Sequence, residues 1–198
     1  MKIYRFNLLL IIMCSIIYGC WAHSPQVLND NHDKIQANII AVLPVENKGP
    51  DGAASRLFRS RLLEELYFKG YSKLPLETID KKLESLYANK GDQSLATAVP
   101  PQALKNLVGA DTGMYCTLME DNKSKIFYFP LKISVRCELR SVQNGEILWN
   151  AQSESTERNF DFTDKGLEKE SHEYLETVID EVVTKIMKTL PDGPNLRG

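Results

Sequence analysis

Apolar positions in the first half of the folded chain alternate between short runs and helical spacing. The run over residues 38–44 is apolar on both faces of an extended chain, which predicts a strand buried on both sides. Apolar residues then recur at helical spacing until Gly70, a residue type that commonly ends helices. A brief strand over 71–74, two further helices and a strand over 112–120 follow. We expect parallel pairing, with the 38–44 strand central and the first helix on the face opposite the other two.

The second half of the chain changes to strict alternation. Between Leu131 and Arg140 every second residue is apolar or cysteine, which predicts an antiparallel strand with one face in water. Asn144-Gly145 is a hairpin signal leading into a strand over 146–155. A two-residue loop would place Leu139 opposite Asn150 and mix apolar with polar positions.

A three-residue loop with Gly145 in the left-handed conformation keeps the apolar positions of the hairpin on one face. It sets Leu139 opposite Trp149 and Cys137 opposite Ala151, so it is the register we predict, with Trp149 in the core. From about residue 164 an apolar stripe at helical spacing predicts a final helix that covers this face. The fold class predicted is α/β, with a single mixed sheet of about five strands (β-α-β-αα-β-β-β-α), parallel then antiparallel, and helices on both faces.

The N-terminus has the pattern of a lipoprotein signal peptide. Its apolar run over residues 8–17 is about half the roughly 20 residues that a membrane-spanning helix needs. The run ends in Ile17-Tyr18-Gly19-Cys20, with a small residue directly before the cysteine. We predict a signal peptide over 1–19, cleavage after Gly19 and covalent lipid on Cys20. Tyr18 departs from the usual small residue, and the alternative is an ordinary secretory signal with Cys20 as a plain thiol.

The remaining chain divides into three predicted parts. Residues 20–37 have no apolar period and predict a lipidated flexible tether, residues 38–190 form one α/β domain, and residues 191–198 form a C-terminal tail. An aspartate after the lipidated cysteine usually retains a lipoprotein at the inner membrane, so Trp21 favours the outer membrane, with the domain in the periplasm or at the surface.

Composition excludes a basic, nucleic-acid-binding protein. The formal net charge is −2 for the full sequence and −4 after residues 1–19 are removed, because that segment holds Lys2 and Arg5 and no acidic residue. The three histidines, His23, His32 and His172, are not at metal-ligand spacing, so we expect solvated histidines and no metal site. The segment 49–52 lacks the lysine and hydroxyl of a phosphate loop and predicts a turn. We therefore expect no catalytic site, no cofactor besides the lipid, and no small-molecule substrate.

Cys116 and Cys137 are the one pair of candidate reactive residues. They fall on strands expected to be neighbours, and we favour two buried thiols, because directly opposed cross-strand cysteines tend to give strained bridges. A structural disulfide is the alternative, since the envelope is oxidising. A redox site is less favoured, because no Cys-x-x-Cys motif is present.

Several short motifs, taken in order, resemble one family of bacterial outer-membrane lipoproteins of unassigned function that includes a vaccine candidate. They span about residues 38–155 and include Ile40-Ala41-Val42-Leu43-Pro44, Gly109-Ala110-Asp111 and Gly145-Glu146-Ile147-Leu148-Trp149. The family's domain is similar to the N-terminal domain of TolB and, more distantly, to activator lipoproteins of penicillin-binding proteins and to the secretion lipoprotein CsgG.

The resemblance implies a non-enzymatic lipoprotein that binds an envelope protein or enters a lipoprotein complex, with the lipid as its contact with the membrane. One alternative is an accessory subunit of a CsgG-like oligomeric secretion apparatus. The other is an envelope thiol enzyme that uses Cys116 and Cys137.

Overall fold

The computed structural model describes residues 26–30, 37–49, 52–87, 99–121, 129–159 and 164–196. The strands are β1 (Gln26–Asp30), β2 (Ile40–Val42), β3 (Glu46–Asn47), β4 (Thr112–Asp121), β5 (Phe129–Ser141) and β6 (Ile147–Asn159). The helices are α1 (Ala53–Phe68), α2 (Leu76–Tyr87), α3 (Pro101–Val108) and α4 (Asp164–Met187).

The strands form one mixed sheet in the order β1-β6-β5-β4-β2, and β3 pairs with β4 as well. β2 and β3 pair with β4 in parallel, whereas the β4–β5, β5–β6 and β6–β1 pairs are antiparallel. The predicted fold class is confirmed. Alternate residues of β2 point to opposite faces: Ile40 and Val42 join the core under α1 and α4, whereas Ala41 packs under α2 and α3. The first helix and the middle two therefore lie on opposite faces, as predicted.

The predicted strand over 71–74 is reduced to a single bridge, in which Ser72 pairs with Ile39. Gly70 turns the chain with a positive φ of 86°, and α2 begins directly after Pro75, so few extended residues remain between them. β2 consequently lies at the edge of the sheet, and its prediction as a central strand was wrong.

The β5–β6 hairpin has the predicted register. Leu139 lies opposite Trp149 and Cys137 opposite Ala151, with an irregularity after Leu139. Gly145 has a φ of 75°, the left-handed conformation that a three-residue loop requires. The apolar face of the hairpin is therefore continuous.

Helix α4 covers that face. Its buried side chains contact the same core as Trp149, which is 1% exposed and donates its indole N–H to the Thr189 carbonyl oxygen at 3.3 Å. Beside this core, Glu181 accepts hydrogen bonds from Lys185 and from Ser155, and these bonds lower the pKa of the Glu181 carboxyl. The seven buried apolar residues of α4 and its C-terminal turn are Val178, Ile179, Val182, Val183, Ile186, Met187 and Leu190.

Part of the predicted flexible tether is a strand. Gln26 pairs with Gln152 and Asp30 with Trp149, so β1 extends the sheet beyond β6. The pairing uses backbone N–H and C=O groups that β6 would otherwise leave open at a sheet edge. Backbone pairing of this kind does not require an apolar period, which is why the sequence pattern did not indicate it.

The predicted C-terminal tail packs against the end of α1 as far as Leu196. Gly193 donates its N–H to the Lys69 carbonyl oxygen at 2.6 Å, and the Tyr71 hydroxyl donates to the Pro191 carbonyl oxygen at 2.9 Å. A Cβ on Gly193 would lie 2.6 Å from the Gly70 carbonyl carbon, so only glycine permits this approach. Residues 191–196 therefore belong to the folded domain.

Candidate functional site

The sheet face opposite α4 is only partly covered by helices. α2 and α3 pack against its parallel part, up to Tyr115. Beyond Tyr115 the side chains of β3, β4, β5 and β6 surround an open groove of about 440 Å³. The residues that line this open groove are Glu46, Lys48, Tyr115, Cys116, Thr117, Met119, Arg136, Glu138, Arg140 and Gln152.

The alternation of β5 places its charged residues in the open groove. Arg136 lies opposite Thr117 of β4 and Gln152 of β6, and Glu138 lies opposite Tyr115. The residues between them on β5 are buried under α4. One strand thus contributes to the core on one side and to a charged surface on the other.

Two arginines converge on one carboxylate at the base of the groove. Glu138 accepts hydrogen bonds from Arg140 through Nε at 3.1 Å and Nη2 at 2.6 Å, and from Arg136 through Nη2 at 3.1 Å. Its side chain is 14% exposed. The Arg140 guanidinium also lies over the Tyr115 ring, 4.9 Å from its centroid, and the Tyr115 hydroxyl donates to the Val99 carbonyl oxygen at 2.7 Å. Arg140 is therefore held firmly from two sides.

The rim of the groove is more accessible. The Arg136 side chain is 53% exposed and Met119 is 46% exposed. Glu46 accepts a hydrogen bond from the Thr117 hydroxyl at 3.1 Å, and the Lys48 ammonium lies 3.9 Å from the Glu46 carboxylate. The groove thus combines exposed cations with an exposed apolar side chain, a composition suited to recognition of another molecule.

Cys116 and Cys137 are joined as a disulfide in the structure, with their sulfur atoms 2.00 Å apart. The preference for two free thiols was wrong, because the pairing of β4 with β5 places the residues directly opposite each other, 4.2 Å apart between Cα atoms. That spacing is close to the roughly 4.5 Å of a non-hydrogen-bonded antiparallel pair, whose side chains approach closely. Neither cysteine is a free nucleophile in this state.

The lipid-attachment residue Cys20 and the cleavage residue Gly19 lie outside the described residues, as do His23, His32, Pro50 and Asp51. His172 is in α4, and its side chain is likewise outside the description. Within the described ranges, no three histidine, cysteine or acidic residues are grouped closely enough to hold a metal ion. None of the helices described there has the length and apolar character needed to cross a bilayer.

A second polar cluster, formed by Arg59 and Asp80, lies at the edge of the sheet, and its hydrogen bonds connect parts of the fold to each other. Arg59 of α1 donates to the Val42 carbonyl oxygen through Nε at 3.1 Å and Nη2 at 2.9 Å. It also donates to both carboxylate oxygens of Asp80 of α2, at 2.9 and 2.7 Å. Arg59 is 9% exposed, so it ties α1 and α2 to the end of β2 and leaves the open groove as the candidate site.

The model of the family described as "Putative lipoprotein GNA1162-like" matches residues 31–195. The chain belongs to this GNA1162-like family. The resemblance seen in the sequence is therefore confirmed, and with it membership of a family of lipoproteins. No curated protein sequence matches the chain.

The chain is also similar to several solved protein structures. Lipoprotein GNA1162 from Neisseria meningitidis is 21% identical, with 70% of this chain and 96% of that chain covered and a TM-score of 0.53. A PelC dodecamer from Paraburkholderia phytofirmans is 15% identical, with coverage of 80% and 90% and a TM-score of 0.50. The LpoB C-terminal domain from Salmonella enterica is 17% identical, with coverage of 62% and 86% and a TM-score of 0.41. Because the sequence identities are low, the similarity to GNA1162 and PelC supports the fold of this chain alone.

The open groove was missed by sequence analysis. The alternating charges from Lys132 to Arg140 predicted only a solvated face, which is the usual role of such a pattern. The available signal was the aromatic residue on the neighbouring strand, Tyr115, because an aromatic beside arginines is a common element of binding surfaces.

Proposed function

We propose that this GNA1162-like protein is a lipid-anchored lipoprotein of the cell envelope that binds a partner protein through the open groove and catalyses no reaction. The observation that carries the binding role is the uncovered part of the sheet, where Arg136 and Met119 are exposed beside the Glu138–Arg140 ion pair. Membership of a lipoprotein family supports the envelope location. We propose that covalent lipid on Cys20 anchors the protein in the membrane. Because Trp21, and not an aspartate, follows that cysteine, the proposed location is the outer membrane.

The anchor is tested by metabolic labelling. Cells that express the full chain are expected to incorporate labelled palmitate into it, and the Cys20→Ser variant is expected to incorporate none, because the thiol that accepts the lipid is gone. Cys14→Ser is the matched control and should be labelled like the unaltered chain, since the bulky Met13 precedes that cysteine. Equal labelling of the Cys20→Ser variant would contradict the anchor.

The binding role is tested by photocrosslinking in cells. A photoreactive amino acid at Met119 is expected to give one predominant adduct with an envelope protein, whereas the same group at the exposed Lys81 of α2 should give none. Both positions are exposed, so the comparison isolates the groove from general surface contact.

Each pattern of adducts has a defined meaning. No adduct at Met119, or equal adducts at both positions, would contradict binding through the groove. An adduct of twice the mass of the chain would identify a second copy as the neighbour. That result would favour the alternative of a subunit in a CsgG-like oligomeric apparatus over a separate partner protein.

A further inference from the structure

We infer that the open groove binds an acidic segment of the partner protein, with Arg136 pairing with a side-chain carboxylate of that segment. The inference rests on the proposed function, because it names the chemistry of the partner that the groove would hold. It follows from the charges of the groove, from the unused donors of one arginine and from the shape of the surface.

The charges within the groove favour an anion. Three cationic side chains, Lys48, Arg136 and Arg140, face two carboxylates, Glu46 and Glu138. One positive charge is left over, in a chain whose formal net charge is −2. A locally positive groove on an acidic protein attracts acidic partners and repels basic ones.

The two arginines are used to different extents. Arg140 gives two hydrogen bonds to Glu138 and lies over Tyr115, so its position is set by the protein. Among the described residues, Arg136 donates one hydrogen bond, through Nη2 to Glu138. A guanidinium has five N–H donors in a planar fork that matches a carboxylate, and most of those of Arg136 remain for a ligand.

The remaining surface suits a short stretch of peptide. A volume of about 440 Å³ is within the range of small-ligand pockets, so the groove can hold a few residues. Exposed Met119 offers an adaptable apolar contact beside the cation, and the Gln152 amide faces the same groove. These features favour a carboxylate flanked by apolar side chains.

The test measures binding of defined peptides to the mature lipoprotein in detergent micelles. Three peptides with blocked ends and an uncharged fluorophore are compared by fluorescence anisotropy: Gly-Leu-Glu-Asp-Leu-Gly, its Gln-Asn counterpart and its Lys-Lys counterpart. We expect the acidic peptide to bind at least about tenfold more tightly than the amide peptide, because charge-assisted hydrogen bonds replace neutral ones. The basic peptide should bind most weakly.

Three variants assign the effect to the groove. Arg136→Gln should remove the tenfold preference for the acidic peptide, and Arg136→Lys should retain part of it, because lysine keeps the charge and loses the fork. Arg56→Gln removes an exposed arginine of α1, away from the groove, and should leave the preference unchanged. A thermal unfolding curve for each variant confirms that the fold is intact.

The outcomes separate this inference from the proposed function. Equal binding of the three peptides, absence of binding, or a preference that survives Arg136→Gln would overturn the acidic segment as ligand. If the crosslink at Met119 to an envelope protein forms in spite of such a result, the proposed function stands and only the ligand chemistry is wrong. If the crosslink is also absent, both fail.

Discussion

Replacing Trp149 with alanine is expected to lower the free energy of unfolding by about 3–5 kcal/mol, the range found when a large buried aromatic is truncated. Trp149 is 1% exposed and lies between the hairpin and α4, so truncation leaves a cavity that the surrounding strands cannot close. It also removes the donor to the Thr189 carbonyl oxygen. A domain of this size is stable by roughly 5–15 kcal/mol, so the loss is a large part of the total.

Urea unfolding of matched variants measures this loss. Phe68→Ala is the control, because Phe68 is 70% exposed and its removal should change the stability by no more than about 0.5 kcal/mol. Trp149→Phe retains much of the buried ring and should fall between the two. If Trp149→Ala costs no more than Phe68→Ala, Trp149 does not belong to the core.

Removing the disulfide by the double substitution Cys116→Ala and Cys137→Ala is expected to destabilise the protein by about 3 kcal/mol. The bond closes a loop with a sequence separation of 21, and cross-links over loops of this length restrict the unfolded chain by about that amount. Both residues are buried, so the missing sulfur atoms add a smaller packing loss.

Two measurements distinguish the bond from its packing. Reduction of the unaltered protein with dithiothreitol should give most of the same destabilisation without removing an atom. Mass spectrometry of a non-reduced digest should show the peptide of Cys116 linked to that of Cys137. Two separately alkylated peptides from the non-reduced protein would contradict the bond and restore the original prediction of two free thiols.

Elements whose signals are local were predicted well. The helix end at Gly70, the proline that opens α3 and the alternation of β5 are each determined by residues close together in the chain. The hairpin register was also predictable, because only one loop length places Leu139 opposite Trp149 and keeps the apolar residues on a single face.

Elements that depend on distant backbone pairing were predicted poorly. The residues of β1 were assigned to a tether. β1 forms because its backbone groups pair with the open edge of β6, and this pairing requires no apolar pattern in the sequence. The C-terminal segment was assigned to a tail, although Gly193 packs closely against Gly70. In both cases the partner lies more than 100 residues away, so neighbouring residues contain no sign of it.

The functional residues also fall into a part that the sequence predicts and a part that it does not. Lipid attachment at Cys20 was predicted from the sequence alone, because such a motif is defined by the residues immediately before the cysteine. The open groove depends on which strand lies beside β5 and on where α2 and α3 stop covering the sheet. The charges of Arg136, Glu138 and Arg140 are visible in the sequence, but their convergence beside Tyr115 is not.

The sequence by itself determined the order of the four helices, the strands β2, β4, β5 and β6 and the hairpin register, and it predicts the anchor at Cys20, since all of these follow from patterns over a few neighbouring residues. Only the tertiary structure decided that Cys116 and Cys137 are bonded, that β1 completes the sheet and that part of one face stays open. Those features arise from pairing between segments far apart in the chain, and such pairing is settled when the whole core is packed.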